Sequence, residues 1–190
     1  MVLALQTFSG FQTFNTEETI SKIVLTSILR ELGPVLAGLM VAGRVGAKMA
    51  AEIATMRVSN QIDALETLAT RPIQYLISPR LIASIVCVPF LVLIGNIIGV
   101  LGGFVVAVLK LNFNASIYIV STFEHLKYID ILQGMVKALV FGIIITIISC
   151  FFGFYATRGA EGVGRATTTA VVCSSVLILT STYFITALFI

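Results

Sequence analysis

The chain has 190 residues, 58% apolar by type and 11% charged, with a formal net charge of +3. A soluble domain carries about 25% charged residues, so this composition argues against a water-covered globular enzyme, and its hydrophobicity excludes disorder. A charge of +3 dispersed over the whole chain is too weak for a nucleic-acid-binding face, which leaves a bilayer protein.

The first 14 residues, MVLALQTFSGFQTF, are apolar but too short to span a membrane. They lack the basic start of a signal peptide. They read as the outer end of a truncated first transmembrane helix. Asn15 then suits an N-cap, with Glu18 placed to bond back.

A transmembrane helix is expected over 16–45. Arg30-Glu31 lies inside it, and an ionisable residue within a span is costly and often functional. Gly33-Pro34 follows and predicts a kink. Gly38, Ala42, Gly46, Ala50 and Ala54 recur every four residues, with Gly43, Ala47 and Ala51 beside them. Such small faces let helices approach closely, within the chain or across a dimer. Residues 50–69 contain no Pro or Gly and read as one helix. Its apolar stripe is Val58, Ile62, Leu65 and Ala69, and Glu52, Arg57, Asp63 and Glu66 are its charged positions. It fits either a membrane surface or a groove on a soluble partner.

Ser78-Pro79 reads as the start of the next helix, a span over 80–109 carrying Gly95, Gly99, Gly103 and Ala107. His125 is the single histidine, too few for a usual metal site. Further spans are expected over 131–157 and 166–190, joined by a tight turn at 159–169. That turn has glycines but no phosphate-loop pattern. Cys87, Cys150 and Cys173 sit in apolar runs without CxxC spacing and read as packing residues. The fold class is therefore all-α: a single polytopic membrane domain over 1–190, with four complete transmembrane helices, the end of a first one and a cytoplasmic helix.

Arg44, Lys48, Arg57, Arg71, Arg80, Arg158 and Arg165 lie on one side. Lys22, Lys110, Lys127 and Lys137 lie on the other. This bias places 44–80 and 158–165 in the cytoplasm.

The run RELGPVLAGLMVAGRVGAKMAAEIATMRVSNQIDALETLATRPIQYLISPRLIA and the later GVGRATT resemble the MlaE-type permeases of MCE-associated ABC transporters. The resemblance covers essentially the whole chain. It implies a homodimeric inner-membrane permease (inner envelope in a plastid) that moves phospholipids or related lipids. A cytoplasmic ABC ATPase would drive it and bind the ATP, the chain itself needing no cofactor. A periplasmic MCE-domain protein would exchange the lipid. The matching cavity positions are Arg30 and Glu31, with Leu3, Phe11 and Phe14 on the remnant. Glu52, Arg57, Asp63 and Glu66 fall in the ATPase-coupling stretch, and Gly38, Ala42 and Gly46 in helix packing or the dimer. No catalytic constellation or metal site is present in the sequence. A secondary transporter or channel, or a non-transporting assembly subunit, is the competing reading. The first would need ionisable sites at the midplane.

Overall fold

The computed structural model describes residues 17–157 and 159–189. Leu3, Phe11, Phe14, the expected helix remnant, the Asn15 cap and Arg158 lie outside the described residues. Within them, four helices are long and apolar enough to cross a membrane: Thr19–Val58, Pro72–Leu111, Tyr128–Phe154 and Ala160–Leu188. No strand occurs among the described residues. Helices suit the bilayer because each satisfies its backbone hydrogen bonds internally.

The first long helix is built from α1 (Glu17–Ser27), α2 (Gly33–Val41) and α3 (Ala47–Val58), joined by wider π turns at Ile28–Leu32 and Ala42–Gly46. The first π turn ends directly before Gly33-Pro34. Proline removes a helix donor and crowds the carbonyl four residues back, that of Arg30. A wider turn is one way to absorb this within a continuing helix.

The expected single helix over 50–69 is two helices. α3 ends at Ser59, Asn60 takes a left-handed conformation (φ 58°), and α4 (Gln61–Thr67) starts a new direction. Asparagine tolerates that conformation as few residues do, so no glycine or proline was needed for the break.

The expected start at Ser78-Pro79 is also corrected. α5 runs Pro72–Leu111 with Pro79 in its interior. Pro72 holds the first-turn position where a missing N–H costs nothing. Arg71 supplies the opening carbonyl, accepting from Tyr75 N at 3.1 Å.

A short helix not foreseen, α6 (Ala115–His125), is capped by Asn114, whose side-chain oxygen accepts from Ser116 N at 3.0 Å. α7 is Tyr128–Phe154 and α8 is Ala160–Leu188. The expected turn over 159–169 is therefore mostly the opening of α8, with Gly159 (φ 96°) making the reversal. Lys137, placed by the sequence in an outer boundary, is fully buried within α7.

The chain divides into two compact units. One holds the described residues up to Pro34 and Val92–Met135. There α1 packs on α6, and Ser21 and Ser121 share a hydroxyl hydrogen bond of 2.7 Å. Ile20, Val24 and Val106 form its apolar core. Gly99 faces Ile28, and Gly103 faces Val24.

The other unit holds Val35–Leu91 and the chain from Val136. Its core is Ala42, Phe141, Ile145 and Ile178. The small-residue column is consumed here. A Cβ at Gly38 would lie 2.9 Å from the Phe141 ring, and one at Gly46 would lie 3.0 Å from Ser149 Oγ. Ala42, Ala50 and Ala54 have no exposed surface. α3 and the π turn before it pack against α8. Of the adjacent row, Gly43 faces open space.

Candidate functional site

In the first unit, the π turn sets Arg30 against α7. Arg30 Nη2 and Nε both reach Asp130 Oδ1, at 2.6 and 2.7 Å. The Asp130 side chain is 2% exposed, whereas that of Arg30 is 39% exposed. The guanidinium is thus tied to a buried carboxylate while part of the Arg30 side chain remains exposed.

Gly134, one turn beyond Asp130, makes this approach possible: a Cβ there would sit 2.6 Å from the Leu29 carbonyl oxygen. Gln133 is also buried. On α5, Asn96 is buried against Gly33, where a side chain would collide with its Oδ1. That oxygen has no hydrogen-bond partner among the described residues. Glu31, the residue after Arg30, is half-buried.

The structure therefore joins Arg30 to a residue that sequence reasoning passed over. Asp130 falls one residue before the span expected over 131–157. The available signal was its position one helical turn before Gly134, at the head of an apolar run. Within this unit's α6, burial raises the Tyr118 phenol above its ordinary value. Its ring lies 5.9 Å from Phe104.

In the second unit, Glu52, Arg57 and Asp63 of the 50–69 stretch are held in three ion pairs. Glu52 accepts from Arg80 Nη2 at 3.0 Å and lies 3.8 Å from Lys48 Nζ. Arg57 Nη1 meets Asp63 Oδ1 at 2.6 Å across the Asn60 break, with both side chains partly exposed. Its guanidinium carbon lies 5.7 Å from the centre of the Phe154 ring, within cation–π range.

Of the expected apolar stripe, Ile62 and Leu65 pack within the unit, Val58 is half-buried and Ala69 is exposed. Ile62 is buried with Ile53, Leu76 and Cys150, and Leu65 packs against them. The face left outward carries Gln61, Asp63, Glu66 and Leu68. Glu66 borders an open hollow of 590 Å³ with Arg71, Ile73 and Gln74. Leu68, Ile73 and Tyr75 are exposed around this connection. A polar surface with a few exposed apolar side chains is what a soluble partner can dock on. No group of metal-ligating side chains occurs among the described residues.

A family model described as Permease MlaE matches residues 1–188. A probable ABC transporter permease protein of Rickettsia felis is 63% identical over 188 residues, covering 99% of this chain and 73% of that protein. A probable ABC transporter permease protein of Synechocystis is 42% identical over 185 residues, covering 97% of this chain and 70% of the relative. The chloroplast protein TRIGALACTOSYLDIACYLGLYCEROL 1 of Arabidopsis thaliana is 38% identical over 189 residues, covering 100% and 54%.

Proposed function

This chain belongs to the MlaE permease family, and from that membership we propose that it carries phospholipids or related lipids across or out of its membrane. It is a multi-pass permease subunit of an ABC transporter, so an ATPase subunit is its partner. In our reading ATP binds on that partner, and the pathway is completed by a second copy of this chain. A periplasmic MCE-domain carrier exchanges the lipid, and the bacterial inner membrane is the site of action. The Arabidopsis relative bears the name of a galactolipid, which supports a lipid substrate.

The observation that carries the reading is the Arg30–Asp130 site. Arg30 is held by a buried carboxylate yet keeps part of its surface accessible. A lipid phosphate suits such a guanidinium, because Arg offers several donors in a planar fork. Glu31, next to Arg30 in the chain and half-buried, adds a carboxylate at this level of the helix. The competing reading as a secondary transporter rests on the same two residues, and the family membership favours the ATP-driven one.

The test is reconstitution with the ATPase subunit in proteoliposomes containing a fluorescent phospholipid. Glu31→Gln should assemble normally and transfer lipid about tenfold more slowly, with a photo-crosslinker at position 31 capturing lipid. Unchanged transfer, with no lipid adduct at 31 while a lipid-facing control labels, would remove the headgroup role.

A further inference from the structure

The second unit contains a crevice that the transport reading does not use. Val41, Val45 and Met49 form one wall, and Ala83, Cys87 and Leu91 form the other. Val88 and Ile145 line it too, and its volume is 210 Å³. The two polar side chains it reaches are already satisfied: Thr146 Oγ1 donates to Ser84 Oγ at 2.7 Å and lies 2.9 Å from the Gly142 carbonyl. The crevice therefore offers nothing to water and an apolar lining to a hydrocarbon. Its first wall covers eight helical steps, about 12 Å along the axis.

The medium at its mouth is fixed by the surrounding side chains. Met40 is 75% exposed and Ile82 62% exposed, with Val45, Val86 and Leu91 also outward, all on helices long and apolar enough to cross a membrane. Such a surface faces lipid tails. Along the Met49 half of this wall the helix turns basic. Arg44 and Lys48 are exposed and lie one position before Val45 and Met49. Glu52 shares Lys48 only at 3.8 Å and is held more closely by Arg80. Lysine and arginine near the edge of a membrane span extend to the headgroup level.

We propose that this crevice seats one acyl chain of a resident phospholipid, whose phosphate is held by Lys48 and Arg44. The lipid sits in the leaflet on the side of the α3–α4 connection. It wedges the start of α5 against the first long helix, which Arg80 and Glu52 already link. This site lies wholly within the second unit and is separate from the Arg30–Asp130 site, so it stands or falls without the substrate reading.

The test uses the intact transporter in vesicles of phosphatidylethanolamine and phosphatidylglycerol. A fraction of the phosphatidylglycerol bears a diazirine on one acyl chain. After illumination and detergent exchange, adducts are mapped by peptide mass spectrometry. The exposed face of α8 around Val176, Leu179 and Phe184 serves as the control for transient lipid contact. We expect at least fivefold more adduct on 41–49 and 83–91 than on that control. Cys87→Phe should abolish the crevice adduct and spare the control, whereas Cys87→Ser should preserve both. Lys48→Glu should lower the yield several-fold with phosphatidylglycerol and leave a neutral diazirine diacylglycerol unaffected.

Equal labelling of both faces, or an adduct indifferent to Cys87→Phe, would overturn the site. An equal effect of Lys48→Glu on both probes would overturn the phosphate contact. Efficient disulfide formation between Cys87 residues of two chains under mild oxidant would assign the face to a second copy instead.

Discussion

Arg30–Asp130 and Arg57–Asp63 join the same side-chain types at the same 2.6 Å, yet they sit in different physical worlds. In the first, the aspartate is 2% exposed, inside a unit built around membrane-spanning helices. In the second, the aspartate is 53% exposed. An exposed pair contributes about 0–1 kcal/mol, because water solvates the separated charges almost as well. A buried pair is often no better than well-packed apolar residues, but losing one partner strands a charge. The first pair therefore fixes which structures are tolerable, while the second can break and re-form at little cost. That suits one to a pathway wall and the other to a moving joint.

The largest effect should come from stranding Asp130. Arg30→Ala should lower stability by about 3 kcal/mol, the low end for a buried pair because Arg30 keeps an accessible side. Thermal unfolding in nanodiscs reads this directly. The double variant Arg30→Met with Asp130→Leu should recover most of that loss while lipid transfer stays low. A double variant as unstable as the single one would show that the pair is not the source.

Next in size is packing. Gly38→Leu drives a side chain into Phe141 and should cost roughly 1–3 kcal/mol, the usual overpacking range. The measurement is the same melting curve, and an unchanged value would mean that Phe141 swings away.

Breaking the exposed pair should be the mildest for folding. Asp63→Ala should shift stability by no more than about 1 kcal/mol. Asp63→Arg should cut the lipid-stimulated ATPase response with the folded complex retained, if α4 couples to the ATPase. An unaltered response would detach α4 from coupling. Salt sharpens the contrast further. Between about 0.05 and 0.5 M salt the Arg57–Asp63 coupling energy in a double-mutant cycle should fade, while that of Arg30–Asp130 should hold.

The four long helices were legible because apolar runs of this length with few charges have one solution in a bilayer. Arg30 was legible as unusual for the same reason, but its partner was not. Asp130 is 100 residues away in sequence, and only the packing of α7 on the π turn brings it near. The small-residue column showed that something packs closely at Gly38 and Gly46. It could not say that the something is Phe141, Ile145 and Ser149 of the same chain. The helix starts failed in an instructive way. A proline marked the head of α5, but it was Pro72, while Pro79 sits inside the helix. In an apolar setting with strong neighbours, a missing donor is tolerated where in water it would end the element. The division of 50–69 was missed because Ser59-Asn60 breaks a helix through a left-handed residue rather than through glycine.

α4 ends on another left-handed residue. Ala69 has φ 57°, its N–H donates to the Glu66 carbonyl at 3.0 Å, and Thr70 N–H donates to the Leu65 carbonyl at 3.2 Å. This is the Schellman closure, in which the left-handed position is usually glycine. An alanine there costs about 1–2 kcal/mol in Cβ–carbonyl crowding. The terminal turn of α4 thus behaves as a cocked spring, held down by two hydrogen bonds and released when they open. Ala69→Gly would uncock it. The variant should be about 1 kcal/mol more stable, and the turn's amide protons should exchange more slowly. If α4 carries the ATPase stroke, the same change should slow turnover, because the element would no longer start from tension.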